Sequence, residues 1–380
     1  MPPTSTLRAE EVLSRARAAG FDLAALVPLA PPRRGEAFRG WIAAGHHADM
    51  AWLERQKERI LDPRQVLPEA GTLLVVGLGH ARAPVSSAEG ARIARYAAGR
   101  DYHNLMTKAL RRLARDLARE GRVGRARAIV DAGPLLERSH AAEAGLGFES
   151  KAANLLHPDH GPWFFLGELL LEADLEPLPA PAPPSGSCGT CTACLDACPT
   201  EALVAPGVLD ARLCLSYHTI ENRGTIPHEL RASLGPWVFG CDVCSEVCPW
   251  GREAPDRAEV FGTHPAVEGA RLVDWLALDE EAFRERFRGS PLQRPKRAGL
   301  LRNAALVLGN LGREEALTPL TGALEDPAPE VRAAAFWALH RAFPPERVEA
   351  LLTRALEREE DPATAADYRR TLAGEGRSEE

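Results

Sequence analysis

CGTCTACLDACP (188–199) and CDVCSEVCP (241–249) carry seven of the eight cysteines in a chain of 380 residues, and Cys214 lies between them. The first run is spaced Cys-x2-Cys-x2-Cys-x3-Cys-Pro, and the second also ends in Cys-Pro. Eight thiols are what two four-iron clusters need. Three thiols separated by x2 gaps wrap one cube, and the fourth, after x3 and before proline, reaches the other. The spacing therefore assigns Cys188, Cys191, Cys194 and Cys248 to one 4Fe-4S cluster, and Cys198, Cys214, Cys241 and Cys244 to a second. A zinc site prefers two Cys-x2-Cys pairs, and disulfides belong to small secreted chains. Neither describes this pattern.

The bulk numbers set the frame. A length of 380 residues suits two or three domains, and 45% hydrophobic residues support a packed core. The net charge of −7 excludes a chain that attracts nucleic acid over its whole surface, so any such contact needs a local basic patch. The N-terminus shows no apolar core of an export signal, and no apolar run is long enough to span a bilayer. WFFLGELLLEADL (163–175) is interrupted by Glu168 and Glu172. A cytoplasmic protein without membrane attachment is expected, which suits thiolates that must stay reduced.

Periodicity predicts helices over 6–19, 38–59 and about 102–120, and strands over 72–79, from 125 to Asp131, and over 163–172. GLGHAR (77–82) lacks the third glycine of a dinucleotide fingerprint. The expected architecture is α+β and multidomain. It comprises an N-terminal α/β domain (1–176), a proline-rich linker (177–187), a bacterial-ferredoxin-like two-cluster domain (188–255), a connecting region (256–289) and C-terminal α-helical HEAT-like repeats (290–380). The repeats are read from internal echoes: Arg302 with Arg332, Ala304-Ala305 with Ala334-Ala335, Asp326-Pro327 with Asp361-Pro362. Two such units cannot bury a solenoid core alone, so they must dock on the rest of the chain. The last residues, GEGRSEE, are expected to fray.

Clusters only pass electrons, so something must receive them. Asp131, at a strand end in VDAGPLLER (130–138), is a candidate proton donor, although an aspartate before Gly133-Pro134 is also an ordinary turn residue. Asp101-x-His103 begins like a cobalamin-ligand motif, but Met106 stands where that motif needs glycine. In LSYHTIENRG (215–224), Asn222 and Arg223 can bind substrate or simply end a helix. Arg294, Lys296, Arg297 and Arg302, with no acidic residue between them, are the best candidate phosphate grip on an acidic chain, or else a solvated turn.

These parts, in this order, resemble the epoxyqueuosine reductases. The likeness rests on GHHADMAWLERQ (45–56), DPR (62–64), RYAAGRDYH (95–103), VDAGPLLER, the double cluster motif, LSYHTIENRG and the HEAT-like end. Ala132 departs from the usual threonine and Gly251 from the usual asparagine. The resemblance implies reduction of epoxyqueuosine to queuosine at the tRNA wobble position, the last step of that modification. It implies a cobalamin cofactor between the N-terminal and cluster domains, with Asp131 as proton donor. Arg59, Tyr96, Asp131, Lys151, Asn154 and Ser216, from the matched stretches, are the candidate cobalamin contacts. Asn222, Arg223, Arg294, Lys296, Arg297 and Arg302 become the candidate tRNA contacts. The expected partners are tRNA and an unidentified electron donor, with the chain acting as a monomer. The rival readings are a reductive dehalogenase-like corrinoid enzyme, which typically carries a twin-arginine export signal and lacks a HEAT-like end, and a plain electron-transfer module.

Overall fold

The computed structural model describes residues 8–173 and 186–374. Most of the expected proline-rich linker and all but the first residue of the GEGRSEE tail lie outside the described residues. The N-terminal half is built on a four-stranded sheet of β1 (Leu23–Pro28), β2 (Thr72–Gly79), β3 (Ala126–Ile129) and β4 (Phe164–Leu171). The strand order is β1-β2-β4-β3, and every pairing is antiparallel. Alternation of strands and helices thus does not produce a parallel sheet here. β2 is buried along its whole length, as its unbroken apolar run requires when both faces are covered.

One face is covered by α1 (Ala9–Ala18) and α3 (Tyr102–Arg119), with α2 (Gly35–Ala43) between them in sequence. In α3 the side chains of Met106, Leu110, Leu113 and Leu117 are buried, at steps of four, three and four that make one stripe. Each such side chain contributes about 1.5–3 kcal/mol by leaving water. Asp101 caps the helix by accepting the His103 N–H. The opposite face is covered by α4 (Glu137–Glu143) and by Leu135, Val66 and Leu67.

Two local expectations are corrected. The helix expected over 38–59 is three pieces: α2, then Ala51–Arg55 and Lys57–Leu61. Gly45 (φ +69°) and Ala48 (φ +51°) take left-handed conformations that an α-helix cannot continue through. The edge strand β1 carries no alternating pattern, because it is short and ends at a proline, and it is absent from the sequence reading.

The chain then returns through α5 (Leu215–Ile220) to a helical end made of α6 (Lys296–Leu311), α7 (Leu317–Ala323), α8 (Pro329–Ala342), α9 (Pro345–Arg358) and α10 (Pro362–Leu372). α6 and α8 approach closely: a Cβ on Gly309 would lie 2.7 Å from the Ala338 backbone. This end docks on the chain through one continuous core. Ala91, Ile93, Leu215, Phe239, Trp275 and Phe287 pack in the same cluster as Leu300, Leu308, Phe336 and Tyr368. The segment Trp237–Phe239 also pairs in parallel with Arg92–Ile93. The helical end and the N-terminal half are therefore joined by packing as well as by covalent chain.

Candidate functional site

The short helices Ala193–Asp196 and Val243–Glu246 each begin inside a cysteine run and pack together. All eight cysteines are free. Their mutual influence sorts them into two sets. Burial raises the Cys194 thiol pKa, and Cys188 and Cys248 raise it further. Cys248 is raised by burial and then by Cys188 and Cys191. In the other set, burial pushes Cys241 and Cys244 up to about 12, with Cys214 adding to both and Cys198 to Cys244. Cys214 is raised by burial and by Cys198. These are the two groups that the spacing assigns. Thiols so placed hold their protons unless a cation compensates, and a coordinating metal removes the proton outright. Among the described residues no three His, Cys, Asp or Glu side chains converge on the point a single ion would occupy. The case for cubes rests on the two sets of four.

The sets differ in setting. Cys188, Cys191, Cys194 and Cys248 share a narrow pocket with Trp250, and Cys244 of the other set borders it too. Cys198, Cys214, Cys241 and Cys244 all line a cavity of about 1040 Å³. That volume is at the upper end for a small-molecule or cofactor site. The cavity reaches from these thiols to Phe164, Phe165 and Leu166 of β4 and to Asp131, with Trp41, Trp52 and Tyr217 in its walls. Two buried polar atoms beside it, Trp52 Nε1 and His47 Nδ1, have no hydrogen-bond partner in the protein. A large, mostly aromatic and aliphatic hollow with spare donors fits a bulky planar cofactor.

Asp131 lies just beyond β3 and has φ +56°, a left-handed conformation uncommon outside glycine that aspartate adopts more readily than most residues. Three groups hold it there. Its N–H donates to Glu137 Oε1 at 2.9 Å. The Tyr102 hydroxyl donates to Asp131 Oδ2 at 2.9 Å, and His103 Nε2 lies 3.2 Å from the same oxygen. The other ring nitrogen of His103 is 2.8 Å from Asp101 Oδ1. Burial alone would lower the His103 pKa, but the hydrogen bonds to Asp101 and Asp131 outweigh it and raise the imidazole to about 9. Burial would raise Asp131, but His103, Tyr102 and the charge of Arg294 bring it below the ordinary carboxylate value. The proton of this pair therefore rests on His103 at neutral pH. Burial, followed by the charges of Glu168 and Asp131, drives Glu137 well above its ordinary carboxylate value. Tyr102 is stacked on Phe165 with ring centroids 3.8 Å apart, which fixes the hydroxyl.

Behind this constellation, Glu168 of β4 is fully buried and meets His140 Nδ1 at 2.9 Å, while its second oxygen has no partner. The sequence reading took Glu168 only as an interruption of an apolar run. It also passed over Glu137 and Tyr102. The signal for Glu137 was weak: a carboxylate six residues after Asp131, across a Gly-Pro turn.

Of the candidate cobalamin contacts, Asp131, Asn154 and Ser216 line the cavity, whereas Arg59, Tyr96 and Lys151 do not. Arg59 is exposed in the middle of the short helix Lys57–Leu61. Tyr96 is packed among the rings of Tyr102, Phe165 and Phe239. Lys151 instead braces the first cysteine run: its N–H meets Cys188 Sγ at 3.4 Å, and Nζ donates to the carbonyls of Gly189 and Cys191.

Three of the candidate tRNA contacts are also corrected. Arg302 is 1% exposed and donates to the carbonyls of His218, Asn222 and Gly224. Arg297 is 7% exposed and paired with Asp326. Asn222 is 6% exposed, its amide donating to the Thr225 carbonyl. Arg302 and Asn222 hold α5 and the following loop against the helical end, Arg297 ties α6 to Leu278 and Asp326, and none of the three can meet a phosphate. Arg223, Arg294 and Lys296 are exposed. Arg294 is bound to Glu221 at 2.8 Å and its charge reaches Asp131.

The chain matches three family models: epoxyqueuosine reductase QueG, DUF1730 (residues 61–132), a 4Fe-4S double cluster binding domain (187–251) and HEAT repeats (294–373). It is 38% identical to the epoxyqueuosine reductase of Xanthomonas campestris pv. campestris, covering 89% of this chain and 97% of that one. It is 38% identical to that of Pseudomonas aeruginosa PAO1, covering 90% and 96%. Among solved structures it is similar to an epoxyqueuosine reductase with an epoxyqueuosine-modified tRNA-Tyr stem loop (TM-score 0.85, 28% identity, 96% and 97% covered). It is also similar to the Bacillus subtilis enzyme with its catalytic loop swung out of the active site (TM-score 0.81, 28% identity, 96% and 98% covered). With these likenesses extending over nearly the whole length of chain and relatives alike, the chain belongs to the epoxyqueuosine reductase family.

Proposed function

We propose that this chain reduces epoxyqueuosine in tRNA to queuosine, using two 4Fe-4S clusters and a cobalamin seated in the cavity beside Asp131. The observation that carries the reading is that Asp131 and four of the eight cysteines line one cavity. Electron supply and a proton-bearing pair therefore meet at a single hollow. Cys188, Cys191, Cys194 and Cys248 would hold the outer cluster, and Cys198, Cys214, Cys241 and Cys244 the inner one. Trp41, Trp52, Asn154 and Ser216 would line the cofactor's seat. When bound there, cobalamin supplies strongly reducing cobalt, chemistry that belongs to the cofactor and not to the protein.

The chain's own groups do the rest. Loss of the epoxide oxygen as water consumes two electrons and two protons. The His103–Asp131 pair holds a proton at the cavity wall, and Asp131 is the member that faces the substrate space. As oxygen charge develops, the first proton passes from His103 by way of Asp131 to that oxygen, and the second reaches it by the same pair after His103 is reprotonated from solvent. Tyr102 and Glu137 fix the carboxylate while this occurs. Glu137 is a positioning residue, since it touches the Asp131 backbone and not the reacting atoms. The aromatic walls exclude water, which strengthens each of these interactions.

The test is anaerobic reconstitution. About eight irons and one cobalt per chain are expected, with conversion of epoxyqueuosine in tRNA followed by mass spectrometry. Protein that takes up both metals and leaves the epoxide intact would refute the reading. Asp131→Ala with normal cobalt content and undiminished turnover would remove Asp131 from the mechanism.

A further inference from the structure

The cations of α3 form a strip that neither the fold nor the proton relay uses. His103, Asn104, Thr107, Lys108, Arg111 and Arg115 line one surface groove of about 390 Å³. Asn104, Lys108, Arg111 and Arg115 follow one another at steps of four, three and four, so they share a helix face with about 5–6 Å between successive Cβ atoms. The buried stripe of Met106, Leu110, Leu113 and Leu117 occupies the other side of the same helix. Arg112 and Arg119, on the flank, reach Asp116. Lys108, Arg111 and Arg115 face the groove, are exposed, and have no carboxylate within ion-pair distance among the described residues. In a chain of net charge −7, three unneutralised cations in a row are a local reversal of sign.

The strip starts at the active pair, since His103 both lines the groove and lies 3.2 Å from Asp131. Arg294 is also close enough for its charge to be felt at the Asp131 carboxylate. A polyanion reaching Asp131 would thus meet Arg294 as well as the cations of α3. From His103 to Arg115 the helix rises about 18 Å, room for a few nucleotides of backbone.

We propose that the Lys108–Arg111–Arg115 face of α3 is a phosphate track for the substrate RNA, gripping its backbone on the His103 side of Asp131. This rests on the reading that the chain acts on tRNA. Its occupant is nucleic-acid backbone, recognised by charge and without base specificity.

The experiment measures binding of an unmodified anticodon stem-loop RNA to the reconstituted full chain, without any electron donor, from low to moderate salt. Lys108→Gln/Arg111→Gln/Arg115→Gln is compared with wild type and with Arg17→Gln/Arg127→Gln/Arg354→Gln, which changes net charge equally at exposed sites elsewhere. Each single-strand phosphate contact contributes about 0.7 to the slope of log affinity against log salt. The track variant should lose about two units of slope and bind at least tenfold more weakly at low salt, while the control keeps the wild-type slope. Turnover should show a raised KM with kcat retained at saturating RNA. Equal slopes for the track variant and wild type would overturn the track. So would a variant that binds RNA normally but loses turnover only with a protein reductant, which would assign the face to an acidic electron donor. If wild-type protein itself failed to bind the RNA, the functional reading would fall instead.

Discussion

The two cysteine sets make an instructive pair. Their ligand chemistry is the same, yet one faces outward and the other inward. Cys191 is exposed, and Lys151 clasps the loop around it. Cys244 and Cys214 are only partly exposed and line the cavity wall. The first set takes three thiols from one x2-x2 run, the second takes two from one x2 pair plus the lone Cys214. Electrons are expected to load at the outer set and leave from the inner one, a division that follows from the tertiary setting.

The sharpest way to break the comparison is to remove one member of each set. Cys244→Ala should reduce iron to about four per chain and abolish turnover with every reductant, because the exit is gone. Cys191→Ser should cost the same iron yet retain a measurable share of turnover with a small strong reductant that reaches the inner set. Equal activities for the two variants would erase the distinction. The next effect concerns the end of the route. Asp131→Asn should lower kcat by about 10²–10⁴ with iron and cobalt content unchanged. Glu137→Ala should lower kcat less, about tenfold, by freeing the Asp131 backbone from a strained φ. Glu137→Gln retains a carbonyl acceptor for that N–H and should restore most of the rate, an outcome that mere structural damage would not give.

The mildest probe is pH. His103, raised to about 9, carries its proton through neutrality. Its raised value means that its contribution to the folded site is complete below its ordinary value of 6.5 and is lost as pH rises through about 9. Asp131, depressed, contributes above its ordinary value and loses that contribution as pH falls through the lowered one. The pair is therefore intact between those limits. kcat should decline above about pH 9, and His103→Gln should abolish that alkaline limb while leaving cluster spectra unchanged.

Much of this was legible in sequence where the cause is local. The cysteine sets follow from gaps of two and three residues. β2 and α3 follow from one apolar run and one apolar stripe, and their ends agree with expectation to within a residue. The failures are tertiary. Arg297 and Arg302 read as a basic patch because a sequence does not reveal that Asp326 and three backbone carbonyls are waiting for them. A run of cations on an exposed face was instead present in α3, which the sequence reading took only as a helix. Glu137 acquires its role only because the chain doubles back after Asp131. Gly45 was a visible warning of the break after α2, outweighed by the apolar residues on either side.

The seam that joins Ala91, Ile93 and Phe239 to Leu300, Phe336 and Tyr368 has a consequence for anyone dissecting the molecule. Its repeats cannot be handled as a detachable module. Trimming the chain near residue 290 would strip the cover from the wall that carries α5 and the inner thiols, so a shortened protein would lose iron before it lost RNA. Swapping repeats between relatives would succeed only when both sides of the seam travel together.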